Sequence, residues 1–214
     1  MNLADRLEEC YTGALYDVLR AMGYGQQILP PTIRPLDLSR PLAGPVYTVS
    51  GYYDDTLDAH TTLLQWTGLL SKAPSGSVVI CQPNDSALAH MGELSAETLQ
   101  LRGVRGYIVD GGCRDSGFIA QIGFRVWCRY FTPRDVVGKW VADSLGEPIT
   151  IGEVTIHSGD YVLADRDGVV IIPASVAEEV TTRTEEVLRT ESAIRAAIRR
   201  GVDPQEAYLT FGSF

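Results

Sequence analysis

Apolar residues along this chain switch between two periods, and the switches mark its elements. Short runs rich in Val, Ile and Tyr, bounded by Gly, Pro, Asp and Ser, predict strands at residues 46–50, 77–81, 106–110, 124–129, 149–156, 161–164 and 168–172. Between them, 56–71 and 93–102 carry apolar residues at helical spacing. The first 25 or so residues read as two short helices, the second over 14–22 with Thr12 as N-cap and Gly23 and Gly25 ending it. A Pro-rich loop follows, through Pro30, Pro31, Pro35, Pro41 and Pro45. A long C-terminal helix is predicted over about 174–200: Ser175-Val176-Ala177-Glu178 fits a capping box, Pro173 precedes it and Gly201 closes it. Its apolar stripe is Val180, Val187, Ile194 and Ile198, and Glu191 falls inside that stripe.

Strands alternate with helices before Phe131, and short strands cluster among Gly and Asp turns after Gly146. The pattern predicts an α/β core with an added β layer, not a pure doubly wound sheet. At 214 residues it fits one domain over 1–214, able to remove roughly 70% of its unfolded surface from water.

Composition narrows the function classes. A net charge of −9 and a pI near 4.8 argue against a nucleic-acid binder, which needs a basic face. An anionic substrate must then be drawn in by a local cation. No apolar run reaches the roughly 20 residues that span a bilayer. Met1 to Arg6 opens no signal-peptide pattern, so a cytoplasmic location without a membrane partner is the expectation. Cys10, Cys81, Cys113 and Cys128 form no Cys-x-x-Cys pair and read as buried free thiols. His60, His90 and His157 form no metal-binding doublet and read as surface or structural residues. Asp17, Asp110, Asp165 and Asp167 read as caps and turns, with Asp167-Gly168 a hairpin signal.

The chemistry concentrates in two short segments. Gly92-Glu93-Leu94-Ser95-Ala96 reads as a loop entering a helix, whose first-turn amides point outward and can receive an anion. Glu93 there either serves a site or merely complements the helix dipole. Twenty residues further on, Arg114-Asp115 follows a strand and the Gly111-Gly112 pair, at the carboxyl end of a strand where α/β ligand sites collect. The alternative is a surface ion pair contributing about 0–1 kcal/mol.

Glu93, twenty intervening residues and Arg114-Asp115 after Val109-Asp110-Gly111-Gly112 resemble the acid–Arg–Asp signature of class II pyruvate aldolases. Those enzymes act on 4-hydroxy-4-methyl-2-oxoglutarate and 4-carboxy-4-hydroxy-2-oxoadipate, in a superfamily shared with the RraA regulators of ribonuclease E. Further matches are Gly44-Pro45-Val46-Tyr47-Thr48-Val49, Gly76-Ser77-Val78-Val79-Ile80, Gly159-Asp160 and Ala164-Asp165-Arg166-Asp167-Gly168-Val169. The resemblance implies a swivelling β/β/α-type, RraA-like domain in homotrimers or homohexamers, with active sites between subunits. It implies Asp115 as the ligand of Mg²⁺ or Mn²⁺ and Glu93 as holder of a metal-bound water. Arg114 would bind the pyruvyl group, and beyond Gly92 the amides of Leu94 and Ser95 would receive its carboxylate. A glutamate from the C-terminal helix of an adjacent subunit completes the family's site, and Glu191 is the nearest match. Two positions depart from the signature. Glu93 stands where Asp is usual, and Ser95 where Leu is frequent, adding a hydroxyl beside the carboxylate pocket.

The implied activity is retro-aldol cleavage or decarboxylation of a 4-hydroxy-2-oxoacid or oxaloacetate-like 2-oxoacid, releasing pyruvate. A metal and Arg114 would stabilise the enolate left by carbon–carbon scission. Neither motif holds a lysine for a Schiff base, the nearest being Lys72 and Lys139. Glu191 has a bland reading too, as an i,i+4 partner of Arg195. The competing class is a non-catalytic RraA-like regulator that binds a ribonuclease or another protein.

Overall fold

The computed structural model describes residues 1–37 and 40–212. In chain order the elements are α1 (Leu3–Glu8), α2 (Thr12–Ala21), β1 (Arg34–Pro35), β2 (Leu42–Tyr53), α3 (Ala59–Lys72), β3 (Val78–Gln82), α4 (Glu93–Leu101), β4 (Gly106–Val109), β5 (Gly112–Cys113) and α5 (Ser116–Ile122). Then come β6 (Arg125–Cys128), β7 (Tyr130–Phe131), β8 (Trp140–Leu145), β9 (Ile149–Ile151), β10 (Val154–Ile156), β11 (Tyr161–Ala164) and β12 (Val169–Ile172). A 3₁₀ turn, Ala174–Val176, leads into α6 (Ala177–Arg199), and α7 (Pro204–Phe211) follows.

The main sheet runs β1-β6-β4-β3-β2-β11-β12, with β8 also on β2. Its centre, β2-β3-β4-β6, is parallel, while β1, β8, β11 and β12 are antiparallel to their neighbours. The central strands are buried along their length, as the unbroken Val-Val-Ile-Cys of β3 and Gly-Tyr-Ile-Val of β4 require of strands covered on both faces. β2 is long enough to pair β11 at Leu42–Pro45 and β8 from Val49 onward, with a bulge between Ser50 and Gly51. A Cβ at Gly51 would lie 2.1 Å from the Val141 carbonyl oxygen and 2.2 Å from the Trp140 ring, so only glycine lets β8 close there. The sheet thus curls into the RraA-like, swivelling β/β/α-type architecture, with helices before it and a long helix after it.

Several boundaries differ from the sequence reading, for physical reasons. Thr12 is not the N-cap of α2; Tyr11 holds that place, and Thr12 opens the helix with its N–H and hydroxyl both 2.8 Å from the Asp165 carboxylate. A carboxylate from the β11–β12 turn thus satisfies this helix end. Asp165 also accepts the Asp167 N–H at 2.8 Å, the structural role expected of it. The Ser175–Glu178 capping box does not form. The N-cap of α6 is Val176, without a side-chain cap: Ser175 lies in the preceding 3₁₀ turn, and Glu178 pairs with Arg6 of α1. Residues 149–156 are not one strand but a hairpin turning at Gly152, whose φ of 62° is left-handed. Pro45 lies inside β2, not in a loop. β8, α5 and α7 had no counterpart in the sequence reading.

All four cysteines are buried and unpaired, and burial pushes the Cys81 thiol up to about 12. No helix among the described residues is long and apolar enough to cross a membrane.

His90 is buried with neither ring nitrogen hydrogen-bonded among the described residues. Asp85 lies 3.5 Å from its Nε2, and its ring stands edge-on to Trp140 at 4.9 Å. Burial outweighs Asp85 and lowers its pKa to about 4. The unfolded chain therefore binds this proton from about pH 6.5 downward while the folded chain resists it. That stabilisation is complete above pH 6.5 and is lost as pH falls toward 4, up to ~3 kcal/mol. Urea unfolding is expected to show a shallower pH slope between 6.5 and 4 in His90→Leu than in the parent. Equal slopes would contradict the burial of a neutral ring.

Candidate active site

Two chain segments run side by side beyond the carboxyl end of β4. Residues 89–91 lie against 112–114: Ala89 bridges Gly112, the His90 N–H donates to the Gly112 carbonyl at 2.9 Å, and the Arg114 N–H donates to the Met91 carbonyl at 2.9 Å. β5 is anchored on its other side by β7, through Gly112 opposite Tyr130 and Cys113 opposite Phe131. This ladder brings Gly92–Ser95 next to Arg114-Asp115.

Gly92 is the N-cap of α4. A Cβ there would sit 2.8 Å from Asp115 Oδ2 and 3.0 Å from Arg114 Nε. Its φ of −148° is extended, so steric room and not backbone conformation demands glycine.

Asp115 has a left-handed backbone, φ 53° and ψ 31°, which Asp tolerates better than most residues. It occupies the N-cap of α5 without capping it. Its Oδ2 instead accepts the Glu93 N–H at 3.1 Å, capping α4, and its Oδ1 has no hydrogen bond among the described residues.

Arg114 does not point away from its neighbour. Its Nε is 3.4 Å from Asp115 Oδ2, and an Nη lies 3.3 Å from Asp135 Oδ2. The guanidinium is thus held between two acids with donors to spare. Asp135 was missed by the sequence reading because it sits in the loop after β7.

These groups line a cavity of about 500 Å³ with Trp66, Met91, Leu94, Ser95 and Val136 among its walls. The Glu93 carboxylate stands exposed at its edge and accepts no hydrogen bond among the described residues, so what meets Asp115 is the Glu93 backbone. The Leu94 and Ser95 amides, in the first turn of α4, have no intrahelical acceptor and are available to an anion. Ser95 Oγ accepts the indole N–H of Trp66 at 2.8 Å.

Glu191 lies apart from this cavity. On α6 it accepts the Tyr11 hydroxyl, not an Arg195 contact, and lines a separate recess of about 340 Å³ with Ile194 and Ile198. Burial first, then this bond, pushes the Tyr11 hydroxyl up to about 12. Asp110 is half-buried 3.4 Å from Arg129, and burial raises its pKa.

Among the described residues, no group of three or more His, Cys, Asp or Glu is arranged to hold a metal. The donor set still fits a hard divalent cation that keeps several waters and takes one or two carboxylates, since Asp115 lines the cavity and only its Oδ2 is engaged among the described residues.

A family model described as RraA-like, Aldolase/RraA, matches residues 12–171. The protein DlpA of Legionella pneumophila is 28% identical over 96% of this chain, which spans only 33% of that protein's length. A protein of Halalkalibacterium halodurans named "Putative 4-hydroxy-4-methyl-2-oxoglutarate aldolase" is 28% identical over 85% of this chain and 83% of its own. The crystal structure of an uncharacterized protein from Pseudomonas syringae pv. tomato superimposes with a TM-score of 0.86 at 25% identity, covering 97% of this chain and 93% of that one.

Proposed function

The chain belongs to the RraA-like, Aldolase/RraA family, and from that premise we propose that it is a lyase that cleaves a 4-hydroxy-2-oxoacid, or decarboxylates an oxaloacetate-like acid, to release pyruvate. The observation that carries the reading is the contact among Gly92, Arg114 and Asp115 at the mouth of one cavity.

In the retro-aldol direction the C3–C4 bond breaks as the C4 hydroxyl loses its proton. The bonding pair moves onto C3 as the enolate of pyruvate, and a proton later returns to C3. Arg114 places a fixed positive charge beside that oxygen, where a charge pair at 4 Å is worth about 4 kcal/mol at an effective dielectric of 20. The Leu94 and Ser95 amides receive the pyruvyl carboxylate, and Glu93 at the cavity edge positions a water that takes the hydroxyl proton. Asp115 and, through water, Glu93 would hold Mg²⁺ or Mn²⁺, which when bound supplies Lewis-acid polarisation of the pyruvyl oxygens.

Residues 1–214 are proposed to form one domain that works as a homotrimer or homohexamer, with Glu191 reaching the site of an adjacent subunit. Leu63 and Leu94, both exposed and both lining the cavity, together make the kind of apolar surface that a second copy covers.

A lactate dehydrogenase-coupled assay over a panel of C4-substituted 2-oxoacids is expected to show pyruvate release that EDTA abolishes and Mg²⁺ or Mn²⁺ restores. Its absence with every substrate would remove this reading. The alternative is a non-catalytic RraA-like regulator that binds a ribonuclease or another protein. Capture of a purified ribonuclease by a chain inert in the assay would select it.

A further inference from the structure

The Ser95 hydroxyl has a single hydrogen-bond partner among the described residues, the indole N–H of Trp66 at 2.8 Å. An indole N–H can only donate, so it occupies a lone pair of the serine oxygen and leaves the serine proton unspent. Several other helical hydroxyls here use that proton locally. Thr98, Thr181, Thr184 and Ser192 each donate to the carbonyl four residues earlier, the usual arrangement. The equivalent acceptor for Ser95 is the Met91 carbonyl, which takes the Arg114 N–H instead.

Trp66 cannot easily turn away. It is 7% exposed and its ring stands edge-on to Trp140 at 5.9 Å. Both Trp66 and Ser95 line the cavity that holds Arg114 and Asp115. The hydroxyl is therefore fixed on its acceptor side and keeps its proton for a group bound in the cavity it lines.

We propose that Ser95, positioned by Trp66, is a specificity residue whose O–H donates to a carboxylate oxygen of the bound 2-oxoacid, alongside the Leu94 and Ser95 amides. This rests on the reading of the cavity as a pyruvyl site and adds to it a side-chain donor and its positioning residue. The group selected is a carboxylate beside the carbonyl. Its oxygens accept only, whereas the corresponding amide turns one acceptor into a donor that would face the serine proton.

The test is calorimetric binding of oxalate, a planar stand-in for the pyruvate enolate, to the full chain in excess Mg²⁺. Ser95→Ala is expected to weaken oxalate binding roughly ten- to a hundredfold, the range for a hydrogen bond to a charged group. Ser95→Thr is expected to restore most of it. Trp66→Phe, which lets the hydroxyl turn to other acceptors, is expected to weaken binding in the parent but to add nothing in a Ser95→Ala background. In turnover, the Ser95→Ala loss is expected in KM more than in kcat.

Parent-like oxalate affinity in Ser95→Ala, with the parent still releasing pyruvate, would overturn this inference alone. A full additional loss from Trp66→Phe on top of Ser95→Ala would overturn the positioning role of Trp66. If Trp66→Phe does not fold, the Ala and Thr variants at 95 decide the matter. A parent chain that neither binds oxalate nor releases pyruvate would overturn the pyruvyl site itself, and this inference with it.

Discussion

Asp115→Asn is expected to lower kcat/KM for pyruvate release at least ~100-fold, the scale of losing one charge-stabilising group at a reacting centre. The substitution is chosen for the backbone. Asp115 sits at φ 53°, a left-handed conformation that Asn also adopts readily. The amide oxygen can still accept the Glu93 N–H. What disappears is the negative charge that balances Arg114 and would hold a cation. Alanine would confound the result, because the left-handed region costs it about 1–2 kcal/mol. Coupled turnover and thermal unfolding, measured together, check the claim. A thermal midpoint close to the parent's with turnover lost is the expected pair. Parent-like turnover would strip Asp115 of its role.

Gly92→Ala has the next largest effect. One methyl group would stand 2.8 Å from Asp115 Oδ2 and 3.0 Å from Arg114 Nε, inside normal contact distance of both. Alanine accepts the extended backbone at 92, so its own conformation adds no strain. Both charged groups must therefore retreat, and misplacement by about 1 Å can cost on the order of 100-fold in rate. Loss of that size with the fold retained is expected, read by the same coupled assay and by circular dichroism. A variant within twofold of the parent would mean that the two side chains act elsewhere.

The legible parts of the molecule were those where one local signal dominated. The apolar runs of β3 and β4 could only be buried strands, and 161–164 fell on β11 without a shift. The approach of the 92–95 segment to Arg114-Asp115 was expected from motif spacing, and the hydrogen-bonded ladder of 89–91 on 112–114 produces it. Long-range partners were not legible. Thr12 looked like a cap because nothing local revealed that Asp165 would reach it. Ser175 looked like half of a capping box, but it lies in a 3₁₀ turn and Glu178 pairs with the distant Arg6. Asp135 joins Arg114 through a fold contact with no spacing signature. β8 was missed because Trp-Val-Ala-Asp-Ser-Leu mixes core and surface residues, only its first half being buried against β2. By contrast, α7 was missed although its start signal stands in the sequence, Asp203 capping it and Pro204 opening it.

Enolate formation by the Arg114–Asp115 site is tested most directly by nuclear magnetic resonance of pyruvate in D₂O. With the parent chain and Mg²⁺ or Mn²⁺, the methyl proton signal is expected to fade as deuterium replaces the C3 protons through the enolate. In Arg114→Ala it should persist at the protein-free rate. Exchange in the parent no faster than in buffer, or undiminished in the variant, would contradict the central claim.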